Sequence, residues 1–142
     1  MIRRSLLMLS RSDGVKRLVT AMPVSSGIVA RYVPGESSES VVAATRDLVH
    51  DGLAVTLDYL GEDTLDRTQA HATVDAYVEV LDQLAAAGLS PAAEVSVKLS
   101  AVGQALPGDG ERIALDNARR ICQAAANAGT TVTLDMEDHT TT

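Results

Sequence analysis

Val55-Thr56-Leu57-Asp58 and Val132-Thr133-Leu134-Asp135 are the same four-residue string, and Val95-Ser96-Val97-Lys98 shares its form. Each comes after a helix-like stretch that ends in a glycine: Gly52, Gly129 and Gly88 respectively. Each reads as a short strand closed by a charged side chain, and those charges, Asp58, Lys98 and Asp135, lie 40 and 37 residues apart. A βα unit repeating at about 40 residues is the period of a (β/α)8 barrel, whose chemistry sits at the C-terminal ends of its strands. An acid, a base and an acid at three such ends read as one side of an active site.

The chain has 142 residues, enough for one ordinary domain, whereas a complete barrel needs roughly 250. The expectation is therefore an α/β fold: a partial (β/α)8 barrel of three βα units, preceded by N-terminal helices and forming the first part of a longer protein. Residues 1–36 would be the N-terminal helical segment with its connector, and 37–142 the truncated barrel. With 46% apolar residues, three Tyr and no Phe or Trp, a core here is built from Ala, Val and Leu. That suits parallel strands buried on both faces.

A net charge of −7 argues against binding nucleic acid through a broad basic surface. The single cysteine, Cys122, falls in a helical stripe with Ala118, Ile121 and Ala125, so a buried thiol is expected. One cysteine excludes an internal disulfide framework and leans towards the cytoplasm. The apolar run Leu6-Leu7-Met8-Leu9 is too short for a signal-peptide core. No stretch approaches the ~20 apolar residues that span a bilayer.

Along the chain, residues 3–22 have helical periodicity interrupted at Asp13-Gly14, and 23–35 form a connector. A helix over 38–50 has Ser37 or Ser38 as its N-cap and Val41, Val42, Ala44, Thr45, Leu48 and Val49 as its apolar face. Strands are expected over 53–59, 94–99 and 131–135, and helices over 67–87 and 111–128. The connections after strands (61–66 and 100–110) are long and read as polar loops, while those before strands are short. Function at the strand C-terminal face produces that asymmetry.

Lys98 ends an otherwise apolar strand. Such a lysine is a fixed cation for a carboxylate or phosphate, a Schiff-base nucleophile, or a strand-end residue reaching solvent. Asp135 precedes Met136, Glu137 and Asp138, and three carboxylates in four residues can bind a divalent ion or simply form a solvated loop. We read Asp135 as a single carboxylate orienting Lys98 in preference to a metal site, because no histidine here has helical ligand spacing with another. Asp58 shares this strand-end placement and Glu62 lies on the loop above it; each can pair with a cation from elsewhere in the protein. His50, His71 and His139 read as surface residues. No glycine-rich nucleotide motif of the GxGxxG or P-loop type occurs.

Taken together, Leu57-Asp58-Tyr59-Leu60-Gly61-Glu62, Val97-Lys98-Leu99-Ser100-Ala101-Val102-Gly103 and Leu134-Asp135-Met136-Glu137-Asp138 resemble the proline dehydrogenase family, in this order and at these spacings. The resemblance covers about residues 3–142, roughly the N-terminal half of that family's catalytic domain. It implies an FAD-dependent oxidation of L-proline to 1-pyrroline-5-carboxylate, with electrons passed to a quinone or other acceptor. It implies that Lys98 contacts the substrate carboxylate and that Asp135 is the catalytic-site aspartate orienting it. It further implies that Met136 lines the flavin and that Glu62 is an acid near the entrance, positioned to pair with a substrate-binding arginine; Asp58 is added to the substrate site from its strand-end position. A cytoplasmic location is expected, with a peripheral place at the inner face of the membrane as an alternative. The family's late arginine pair and most of its flavin-binding residues match nothing before residue 142.

Two rivals remain open on the sequence: a Schiff-base aldolase barrel using Lys98, and a truncated piece without catalysis. Residues 1–142 alone are expected to be inactive, to bind little FAD and to aggregate, because outer strands would lack partners and an inner face of Val and Leu would be bare.

Overall fold

The computed structural model describes residues 37–61 and 64–136, together with Val33 and Gly35. The expected helix over 3–22 lies outside the described residues, and residues 37–142 form one of two units into which the chain divides. Helix α1 (Ser38–His50) starts where the Ser37 side chain accepts the Ser40 backbone N–H at 3.3 Å. Satisfying an orphan amide in this way is what defines an N-cap. Strand β1 (Val55–Asp58) comes next, then helix α2 (Arg67–Ala86), whose N-cap Asp66 accepts the Thr68 amide at 2.8 Å. A short 3₁₀ turn at Ser90–Ala92 leads into β2 (Ala93–Lys98). Helix α3 (Gly110–Ala128) ends on Gly129 in the left-handed region, at φ 77°, and β3 (Val132–Asp135) is the last described element.

The three strands form one parallel sheet in the order β1-β2-β3. Val55 pairs with Ala93 and Asp58 with Ser96; Val95 pairs with Val132 and Lys98 with Asp135. Helices α2 and α3 pack on one face, where Val74, Tyr77, Leu81 and Ile121 close over Val95 and Val97. A second cluster joins Val42 of α1 to Leu84, Leu89 and Ala93. Among the described residues, β1 and β3 each pair on one side only, as two outer strands of a partial barrel do.

Only one face of the sheet is apolar, which corrects the expectation of nearly continuous apolar strands; burial of the second face belongs to a closed barrel. Val55, Leu57, Ala93, Val95, Val97, Val132 and Leu134 point towards the helices, while Thr56, Asp58, Glu94, Ser96, Lys98, Thr133 and Asp135 point away. The burial of β2 alternates strictly between buried and half-buried. Alternation is the consequence of the period-2 geometry of a strand. The uncovered face therefore bears threonine, serine and charge, and the expected bare surface of Val and Leu is absent from it among the described residues.

The stretch after β2 also differs from the expected polar loop. Ser100–Gln104 forms an irregular helical turn in which Ala101, Val102 and Gly103 are buried, and Leu106 packs with Ala70 and Ile113. The buried Asn117 side-chain amide donates to Val102 O at 2.8 Å, satisfying a carbonyl that the turn leaves over. Gly103 has φ +116°, and a Cβ there would stand 3.0 Å from Ile113 Cγ2 and 3.2 Å from Leu106 Cδ1. This segment is a packed plug over the ends of α2 and α3, stabilised by apolar burial rather than by solvent.

Cys122 is exposed, against the expected buried thiol. The buried stripe of α3 runs through Ala114, Asn117, Ala118, Ile121 and Ala125. At 3.6 residues per turn, Cys122 sits roughly 90° round from the middle of that stripe. His50 and His71 are exposed, as expected. No helix among the described residues is long and apolar enough to cross a membrane.

Candidate functional site

The C-terminal ends of the strands carry the charges. Lys98 and Asp135 are register partners across β2 and β3. Asp58 is the last residue of β1 and pairs with Ser96, which sets it one row back from Lys98 on the same face. The lysine stem spans that stagger, and Lys98 Nζ lies 3.3 Å from Asp58 Oδ2. Only 12% of the Lys98 side chain is exposed, against 33% for Asp58, so this ion pair is shielded far more than an ordinary surface pair. The sequence points to Asp135 as the orienting carboxylate. The structure places Asp58 against the ammonium and Asp135 opposite Lys98 in the register, so Lys98 stands between acids on both neighbouring strands.

A residue that the sequence pattern does not single out joins them. Tyr77 of α2 is 2% exposed and reads in the sequence simply as part of the helix core. Its hydroxyl donates to Ser96 O at 2.6 Å, accepts the Tyr59 backbone N–H at 3.1 Å, and lies 3.4 Å from Asp58 Oδ1. Burial pushes its phenol up to about 12, opposed by the Tyr59 N–H and assisted by the Asp58 charge. It is therefore a neutral donor at every working pH. A buried tyrosine hydroxyl needs a partner, and Tyr77 is one of only three tyrosines in the chain, so that signal is present in the sequence.

Further along the same face, Glu94 accepts hydrogen bonds from three threonines. Thr131 Oγ1 donates at 2.6 Å, Thr133 Oγ1 at 3.1 Å and Thr56 Oγ1 at 3.2 Å. These bonds, led by Thr131 and Thr133, hold the Glu94 carboxyl below its usual range. One carboxylate thus ties together β1, β2 and the entry to β3.

Met136 comes directly after Asp135 and is 41% exposed, an apolar side chain beside a charged site. Glu62, with its neighbour Asp63, lies outside the described residues, as do Glu137, Asp138 and His139. The backbone of Thr64, buried on the same connection, donates to Ser100 O at 3.1 Å and ties the exit of β1 to the exit of β2.

The family model described as proline dehydrogenase matches residues 41–142. The chain is 38% identical over 138 residues to a proline dehydrogenase of Deinococcus radiodurans, covering 97% of this chain and 43% of that protein. It is 31% identical over 139 residues to proline dehydrogenase 1 of Bacillus subtilis strain 168, covering 98% of this chain and 44% of the relative. The chain thus spans under half the length of these curated relatives. Among solved structures, proline utilization A from Bdellovibrio bacteriovorus, inactivated by N-propargylglycine, superposes with a TM-score of 0.69 at 24% identity. That match covers 81% of this chain and 14% of the other and speaks for the fold.

Proposed function

This chain belongs to the proline dehydrogenase family, and on that premise we propose that it supplies the first three βα units of a flavoenzyme barrel oxidising L-proline to 1-pyrroline-5-carboxylate. The observation that carries this reading is Lys98: a side chain only 12% exposed at the strand mouth, its ammonium 3.3 Å from Asp58 and its backbone in register with Asp135. An amino-acid carboxylate needs a desolvated, oriented cation, and charge-assisted hydrogen bonds of this kind are the strong ones. The oxidation removes a hydride from the ring carbon on the far side of the nitrogen from the carboxylate-bearing carbon. A site that holds the carboxylate at Lys98 leaves that far carbon free to face the hydride acceptor. Asp135 and Asp58 keep the ammonium in place.

The chemistry of the residues present fits a flavin edge, since Met136 offers an apolar contact next to the charged cluster. When bound, FAD supplies the hydride acceptor. The remaining cofactor contacts, a second cation for the substrate and the route of electrons to a quinone or other acceptor belong to the rest of the protein. Glu62 of this chain is, on the family resemblance, an acid able to pair with such a cation. Residues 1–142 by themselves are inactive in this reading, because among the described residues β1 and β3 have no outer strand partners and the site is half built.

The aldolase reading is disfavoured by the same ion pair. A Schiff-base amine has to shed its proton, and a carboxylate 3.3 Å away favours keeping it. The test is anaerobic addition of L-proline to the complete protein. Bleaching of bound flavin is expected; a flavin-free protein trapped at Lys98 by borohydride with a carbonyl substrate would overturn the proposal.

A further inference from the structure

All three neighbours of the Tyr77 hydroxyl belong to the strand ends that carry the site. Ser96 precedes Lys98 by two residues on β2, Tyr59 is the residue directly after Asp58, and Asp58 is the carboxylate against the ammonium. The structure assigns Tyr77 as a positioning residue for the Asp58–Lys98 pair, a role that rests on reading Lys98 as the anchor for the substrate carboxylate.

The phenol has one proton. At 2.6 Å the Ser96 carbonyl takes it, and the hydroxyl oxygen receives the Tyr59 N–H at 3.1 Å. The sheet ladder ends at Asp58, and this relay links the next residue of the chain to β2 through a side chain from α2. Pinning the peptide on the C-terminal side of Asp58 fixes the direction in which its side chain leaves the backbone. That direction decides whether Oδ2 meets Lys98. The Tyr59 ring, 6.1 Å from that of Tyr77 and tilted at 54°, packs against the same bridge. Asp58 Oδ1 at 3.4 Å is a weaker contact. The hydroxyl acts on Asp58 chiefly through the backbone, with a proton available to that oxygen if the Ser96 bond yields. A core tyrosine retained only for packing would need no hydroxyl at this point.

Tyr77→Phe keeps the ring and removes only the oxygen. In the complete enzyme, loss of this bridge should raise KM for L-proline about 5- to 20-fold while kcat changes less than about threefold, the scale of one or two lost hydrogen bonds. Asp58→Asn should raise KM similarly, and Tyr77→Phe added to Asp58→Asn should have little further effect, because both act through the same carboxylate. An unchanged KM in Tyr77→Phe overturns the role, and so does a full Tyr77→Phe effect persisting in the Asp58→Asn background. Should Tyr77→Phe fail to fold, Asp58→Asn tests the carboxylate through which Tyr77 acts, since it leaves the bonds to Ser96 and Tyr59 in place: a raised KM supports the role and an unchanged KM overturns it. Failure of the parent enzyme to oxidise proline at all would strike the functional reading instead, before any variant is compared.

Discussion

Strands β1 and β3 have the same four residues, Val-Thr-Leu-Asp, in the same orientation on either side of β2. Their surroundings differ. Leu57 of β1 packs against both main core clusters, whereas its counterpart Leu134 is 49% exposed. Asp58 has Lys98 at 3.3 Å and the Tyr77 hydroxyl beside it, while Asp135 stands opposite Lys98 in the register. The difference comes from the element that packs over each strand. Helices α1 and α2 cover β1 and α2 delivers Tyr77, whereas the described chain after β3 ends at Met136. Identical sequence gives the same strand and the same side-chain alternation, and the next βα unit decides what each residue does.

The sharpest break of this comparison is in stability. In the complete protein a helix after β3 should cover Leu134 as α1 and α2 cover Leu57. Leu57→Ala and Leu134→Ala should then each cost about 2–4 kcal/mol in denaturant unfolding, the range for a large-to-small core change. A Leu134→Ala cost under about 1 kcal/mol would mean that no such helix packs there, and the partial-barrel reading would fail.

Next in size is the anchor itself. Lys98→Ala in the complete enzyme should lower kcat/KM for L-proline about 10- to 150-fold, the equivalent of roughly 1.5–3 kcal/mol for a lost charge-assisted hydrogen bond. Flavin content should be largely kept, because in the proposed reading Lys98 meets the substrate and not the cofactor. Steady-state kinetics identical to those of the parent enzyme would remove Lys98 from the site. Asp135→Ala should be comparably severe, and comparing it with Asp58→Ala shows whether the two equivalent acids share the work.

The smallest expected effect is at Glu94. Its carboxyl is held low by Thr131 and Thr133 in the folded state. A lowered folded value contributes stability above the unfolded value, near pH 4.3, and that contribution is lost as pH falls through the folded value. Glu94→Gln should therefore be less stable than the parent near neutrality, with the gap closing below about pH 4. A gap that stays constant from about pH 7 to about pH 3 would show that the three-threonine cradle has no electrostatic role.

Much of this is legible in the residues. The Ser37 cap, the helix over 38–50 and the three strand-end charges come directly from pattern, because caps, periodicity and strand ends are local features. The polar face is also written there, in the alternation of Thr56 and Asp58 or of Glu94, Ser96 and Lys98. It is hidden when those runs are read as continuously apolar, where threonine and serine pass as small strand residues. The plug at Ser100–Gln104 escapes because glycine and proline nearby signal a loop, while burial of Ala101 and Val102 depends on α2 and α3 packing over them. Tyr77 escapes because a hydroxyl at the end of a buried ring is invisible to a count of apolar positions. Its partners come from two strand ends, 18 and 19 residues away in sequence.

The most direct test is the crystal structure of the complete protein with L-proline, or a non-oxidisable carboxylate of the same shape, in the site. The expected result is a ligand carboxylate about 3 Å from Lys98 Nζ, with Asp58 and Asp135 on either side of the ammonium and Met136 along the cofactor. A carboxylate held elsewhere, with Lys98 bound only to protein acids, would contradict the assignment of these three strand ends as the substrate site.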